Sequence, residues 1–246
     1  MTIHEARKEQ IKSLKNRSLR ERFSFFREYY GIKTVCLLTA VVLTVMFVVT
    51  LATKKDFVFS GVFFGGAEQA SADGYWEDFA AAAGIDLKKQ DISVQTQPDI
   101  RMDQPVTTEV YQAMEAFTAM VAAKSVDCFG GNTEIFLHYA YMGYAADLRT
   151  VLPTEALTRL APALRYIDGQ LLREQAEGEN IPYSQYPDPA KPEQMAEPIP
   201  VAIALEAASD DFRESYRFAE GAVLGICANS EQPENVRAFL NFCFGS

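Results

Sequence analysis

An α/β domain carried behind one membrane-spanning helix is the architecture this sequence predicts. Three observations predict it. Thr34 to Thr53 is a run of twenty residues without a charge. The charges divide sharply across that run. Beyond it, β-branched and aromatic stretches alternate with helix-spaced amphipathic ones, the pattern of a mostly parallel sheet packed with helices.

At about 1.5 Å per residue the uncharged run spans roughly 30 Å, the thickness of a bilayer hydrocarbon core. Residues 1–33 carry nine Lys/Arg against four Glu, and the chain from residue 53 carries 14 basic against 29 acidic residues. Positive charge is retained on the cytoplasmic side, so the N-terminus is expected inside and residues 54–246 outside the cell membrane. Thr50-Leu51-Ala52 loosely resembles a signal-peptidase site. The run is longer than the roughly 7–15 apolar residues of a cleaved signal, which favours an uncleaved signal-anchor over residues 34–53.

Residues 1–33 are too few and too charged to fold alone. Leu19, Phe23, Phe26 and Tyr30 form one helical stripe flanked by Arg17, Arg20, Arg22 and Arg27. The cluster Phe23, Phe25, Phe26, Tyr29 and Tyr30 suits the headgroup level. A helix on, or continuing into, the inner leaflet is expected; docking to a partner is the alternative. Nucleic-acid binding is not expected of so short a segment beside a bilayer.

The external elements follow in order. Residues 57–64 read as a strand ended by Gly65-Gly66. Residues 75–83 read as a helix ended by Gly84. Residues 91–96 alternate like a second strand, and 97–106 form a loop. Residues 107–125 give the clearest helix, with Val110, Met114, Phe117 and Val121 on its apolar face and Thr107 or Thr108 as cap. Residues 126–129 read as a short strand broken by Gly130-Gly131, after which Asn132 caps a helix to about Gly143. Pro153-Thr154 opens another helix, and 164–167 read as a strand. Six prolines within 182–200 argue for an extended loop over 169–200. Strands are expected at 201–205 and 222–228. Pro233 suits a first helical position, with Val236, Phe239, Leu240 and Cys243 facing the core.

The order of certain segments resembles a known family. YQAMEAFTAMVAAKS leads to VDCF, then NTEIFLHYAYMGY leads to Gly143-Tyr144-Ala145-Ala146-Asp147-Leu148. The final AVLGICANSEQPENVRAFLNF resembles that family's late strand and helix. Together these resemble the extracytoplasmic solute-binding proteins of ABC transporters, with the type 2 periplasmic-binding fold. The likeness covers residues 107–152 and 222–244, with weaker support at 57–96. The external part is short for two lobes, and a transmembrane helix replaces the usual lipid tether. The chain looks more like the reduced, membrane-anchored relatives in Gram-positive bacteria. The resemblance implies non-catalytic binding of a small molecule or peptide. The alternative is an envelope interaction or scaffold subunit, docking onto a transporter or other envelope protein, that kept the fold without the cleft.

Catalytic chemistry is sparse. The two histidines are His4 and His138. No nucleophile elbow, CxxC, or Walker or Rossmann glycine pattern is present. Cys128, Cys227 and Cys243 have no metal-ligand spacing and suit buried thiols as well as a bridge; no cofactor or metal is expected. Acidic groups such as Asp210-Asp211 read as solvated surface. Ligands of α/β sheets sit beyond the strand carboxyl ends, where helix-start amides face them. Phe129, Gly130, Gly131 and Asn132 are therefore the candidate ligand-binding residues, with Glu206 as a cation-binding group. Ordinary strand–helix turns are the alternative reading of the same residues.

Overall fold

The computed structural model describes residues 19–53, 55–179 and 181–245. The chain divides into two compact units, before and after the Lys54–Lys55 junction.

Among the described residues the first unit is one helix, α1 (Leu19–Thr53, 35 residues), so helix continues unbroken from the basic segment into the apolar one. Lys33–Thr50 is long and apolar enough to cross a membrane, with mean hydropathy 2.2. Val35, Leu38, Val42, Val45, Phe47 and Val49 are among its uncovered side chains. The Thr44 and Thr50 hydroxyls donate to the carbonyls of Ala40 and Met46 at 2.8 and 2.9 Å, so neither needs water. Residues 1–18, and the aromatic and basic side chains expected to flank the span, lie outside what is described.

The second unit opens with β1 (Asp56–Phe64), β2 (Ala67–Glu68), α2 (Ala72–Ala83), β3 (Gln90–Gln97), α3 (Thr108–Ala122), β4 (Cys128–Gly131) and α4 (Thr133–Tyr141). Then come α5 (Leu148–Val151), α6 (Thr154–Leu160), β5 (Leu164–Asp168), α7 (Gly169–Ala176) and β6 (Pro198–Ala204). The chain closes with α8 (Asp210–Ser215), β7 (Tyr216–Arg217), β8 (Val223–Ile226) and α9 (Pro233–Phe244). Six strands form one sheet in the order β3-β1-β4-β8-β6-β5, and β2 and β7 pair separately.

That sheet is mixed, which corrects the expectation of a mostly parallel one. β1 runs parallel to β3 and β4, but the β4–β8, β8–β6 and β6–β5 pairings are antiparallel. The β-α alternation suggested parallel neighbours throughout. The chain instead returns beside itself after β5 and again after β6, through connections long enough to serve either direction.

β1 is apolar on both faces because it is covered on both. Phe59 and Phe63 join Tyr75, Phe79, Phe212, Tyr216 and Phe239 on the α2–α9 side. Val62 and Phe64 join Phe117, Phe129, Phe136 and Tyr139 on the α3–α4 side. T-shaped contacts such as Phe63–Phe212 (5.8 Å) and Phe64–Phe117 (5.2 Å) fill both layers.

Several ends form as their residues dictate. Gly84 takes φ +72° to close α2. The Thr107 hydroxyl accepts the Val110 amide at 3.2 Å, and Pro233 starts α9.

Two expectations fail locally. Gly130 and Gly131 do not break a strand; they are its last two residues, and the strand starts at Cys128 rather than Val126. Residues 169–200 are not one loop. Asp168 caps α7 by accepting the Gln170 amide at 2.9 Å, and β6 begins on Pro198.

Candidate functional site

Strands β1, β3, β4 and β6 point the same way. Phe64, Gln97, Gly131 and Ala204 therefore end at one rim of the sheet, where α/β folds place ligands. The Gly65 amide donates to the Gln97 carbonyl at 2.8 Å and joins the first two loops.

Asn132 anchors the middle of this rim. Its Oδ1 accepts the Ile135 amide at 3.0 Å and so caps α4. Its Nδ2 donates to Asp99 Oδ1 at 2.7 Å and to the Ile100 carbonyl at 2.8 Å. The next residue reaches across the rim: Thr133 Oγ1 donates to the Gly221 carbonyl at 2.6 Å. The Gly221 amide donates in turn to Glu206 Oε1 at 2.9 Å. Gly221 has φ +77°, which lets its two peptide groups serve opposite partners.

Of the sequence-derived candidates, Asn132 and Glu206 thus share one hydrogen-bonded rim. Phe129 does not line it; the ring is buried and stacks on Phe136 at 4.7 Å. Gly130 and Gly131 are packing positions. A Cβ on Gly130 would lie 2.8 Å from the Val223 carbonyl oxygen, and one on Gly131 2.9 Å from Phe64. Their small size serves close strand and helix approach rather than an open cradle.

Beside Glu206 an open cleft of about 350 Å³ is lined by Leu205, Phe212, Arg213, Arg217 and Phe218, among others. Phe218 sits over Gly66, where a Cβ would come within 2.9 Å of its ring. Arg213 is paired with Asp210. Arg217 has no ion-pair or side-chain hydrogen-bond partner among the described residues. Sequence reasoning missed Arg217, Phe218 and Gly221, because residues 206–221 carry no motif. The Gly221 turn before an apolar strand was the one local signal. The cleft therefore offers the free guanidinium of Arg217, the carboxylates of Glu206 and Glu220 and an apolar floor, an arrangement that can hold a small group bearing a carboxylate.

Groups able to do covalent chemistry lie elsewhere. Cys128, Cys227 and Cys243 are free and buried, and burial raises all three thiol pKa values. Burial lowers the His138 pKa. Among the described residues no three His, Cys, Asp or Glu side chains gather as a metal site.

No protein-family model, curated protein or solved structure matches this chain.

Proposed function

We propose that this is a single-pass membrane protein whose external domain is a non-catalytic binding module. Its N-terminus lies in the cytoplasm, and the rim beyond β1, β3, β4 and β6 is its binding end. The ligand is a small molecule or peptide with a carboxylate for Arg217. The observation that carries this reading is Arg217, unpaired among the described residues, beside Glu206 and Phe218 in a cleft that adjoins the Asn132–Gly221–Glu206 rim. A volume of about 350 Å³ suits a group of amino-acid or dipeptide size.

The test uses the full chain in lipid nanodiscs and a panel of amino acids, dicarboxylates and dipeptides. The expected result is a thermal stabilisation of several degrees by a carboxylate ligand, lost in Arg217→Ala. No shift across the panel would sink the small-ligand reading.

A second reading is favoured by one observation. The space at the glycine positions Gly66, Gly130 and Gly131 is filled by Phe218, the Val223 carbonyl and Phe64. A filled, open surface suits docking to an envelope protein, such as a transporter, and the solute-binding likeness would then be one of fold alone.

A further inference from the structure

The two edges of the main sheet are treated differently. At β5 the outer side is occupied, since the Tyr166 amide donates to the Pro189 carbonyl at 2.9 Å. At β3 no strand pairs with the outer side among the described residues, and beyond the Gln90 amide, which donates to the Asp86 carbonyl at 2.8 Å in the turn that enters the strand, no loop backbone does. β3 is eight residues long, QDISVQTQ, with one charge and no proline or lysine to discourage pairing.

The direction of its peptide groups follows from two bonds. The carbonyls of Lys89 and Gln97 both accept amides on the β1 side, from Asp56 and Gly65. A residue's N–H and C=O point to the same side of a strand and alternate along it. Odd-numbered residues of β3 therefore face β1, and Ile92, Val94 and Thr96 turn their peptide groups to the open edge.

Hollows flank this edge. One, of about 390 Å³, is lined by Phe57, Ser93, Gln95, Met120 and Lys124, among others. The other, of about 300 Å³, is lined by Trp76, Ile92 and Val94 together with Glu68, Asp73, Glu77 and Asp91, and by no lysine or arginine. None of those four carboxylates has an ion-pair partner among the described residues.

We propose that β3 is a docking edge for an extended, lysine- or arginine-bearing strand of a partner protein. The partner adds to the sheet beyond β3 and places alternate cationic side chains over the acidic hollow. Two copies of this chain pairing edge to edge would set the same acidic face beside itself, which opposes self-pairing. The inference does not depend on the cleft beside Glu206, which lies at the rim rather than along the edge.

The test uses the full chain in nanodiscs and three synthetic peptides. TKTKTKTKT alternates lysine with a β-branched residue, TETETETET reverses the charge, and TKTKPKTKT keeps the charge but cannot pair continuously. Amide hydrogen exchange is read at Ile92, Val94 and Thr96. The lysine peptide is expected to protect these three amides, and the other two peptides are not. Thr96→Pro removes an outward-facing N–H and no ladder bond, and should weaken binding at least tenfold while leaving the melting temperature close to wild type. The double variant Asp73→Asn, Glu77→Gln changes exposed helix residues only and should weaken binding severalfold. Binding without protection of the three amides, or equal binding of the proline peptide, would overturn the proposal. So would no binding at all. Protection that grows with protein concentration in the absence of peptide would assign the edge to a second copy instead.

Discussion

Ser60 and Asp127 hold each other twice. The Ser60 amide donates to Asp127 Oδ2 at 2.8 Å, and the Asp127 amide donates to the Ser60 carbonyl at 2.8 Å. The second carboxylate oxygen accepts the Ser230 hydroxyl at 2.5 Å, so one buried side chain ties β1, the start of β4 and the turn before α9.

Asp127→Ala should therefore cost on the order of 2–3 kcal/mol, because it strands a buried Ser60 amide. Burial raises the Asp127 pKa above its ordinary value of 3.8. The folded state then binds this proton more readily than the unfolded state. The contribution to stability is greatest below 3.8 and is lost as pH rises through the raised folded value. Urea unfolding between pH 3.5 and 7 should show this slope in the wild type and not in Asp127→Asn.

His138 acts in the opposite sense. Burial lowers its pKa from 6.5, so the unfolded state binds this proton more readily. Stability should be retained above 6.5 and lost as pH falls from there toward the lowered folded value. His138→Leu should flatten that limb, which is measurable by comparing melting temperatures at pH 7 and pH 5.

Glycines separate into two kinds, and substitution should tell them apart. A Cβ on Gly225 would lie 2.6 Å from the Val201 carbonyl oxygen and press on the Phe136 ring, so Gly225→Ala should cost about 3 kcal/mol or more. Gly84 has open space around its Cβ position and only its φ of +72° to lose, so Gly84→Ala should cost about 1 kcal/mol. Chemical denaturation of both variants checks the contrast.

The buried cysteines should be silent in the folded state. Cys128 packs in the α2–α9 layer and Cys227 in the α3–α4 layer, so the sheet lies between them and no bridge can join them. Maleimide labelling should modify Cys128, Cys227 and Cys243 only after denaturation. Reductant should leave the melting temperature unchanged.

Local chemistry made much of this architecture legible. Thr107, Asn132, Pro233 and Gly84 end or start helices by their own side chains or backbone freedom, and the spacing around Phe117 marks a buried stripe. What escaped was set from a distance. Pro198 and Pro200 looked incompatible with a strand, yet β6 pairs with β8 only over Ala202–Ala204, so the prolines occupy a stretch with one neighbour. Helix α7 was hidden by the prolines that follow it. The antiparallel turn-back of β8 and β5 has no local signature at all. At the rim, Asn132 was legible as a cap and Glu206 as a strand end. The role of Gly130 and Gly131 was not, because it depends on Phe64 and Val223 arriving from other strands.

The place of β1 in the sheet order bears on how the chain is made. Synthesis delivers residues 56–64 before either neighbour exists, and Cys128 of β4 follows some 64 residues after the end of β1. β3 follows the end of β1 by some 26 residues and covers one side, but until β4 arrives the other side of the apolar, aromatic segment DFVFSGVFF has no native strand beside it. An inner strand of the finished sheet thus emerges before both of its neighbours and waits with one side open, which makes early shielding of that segment a condition of productive folding.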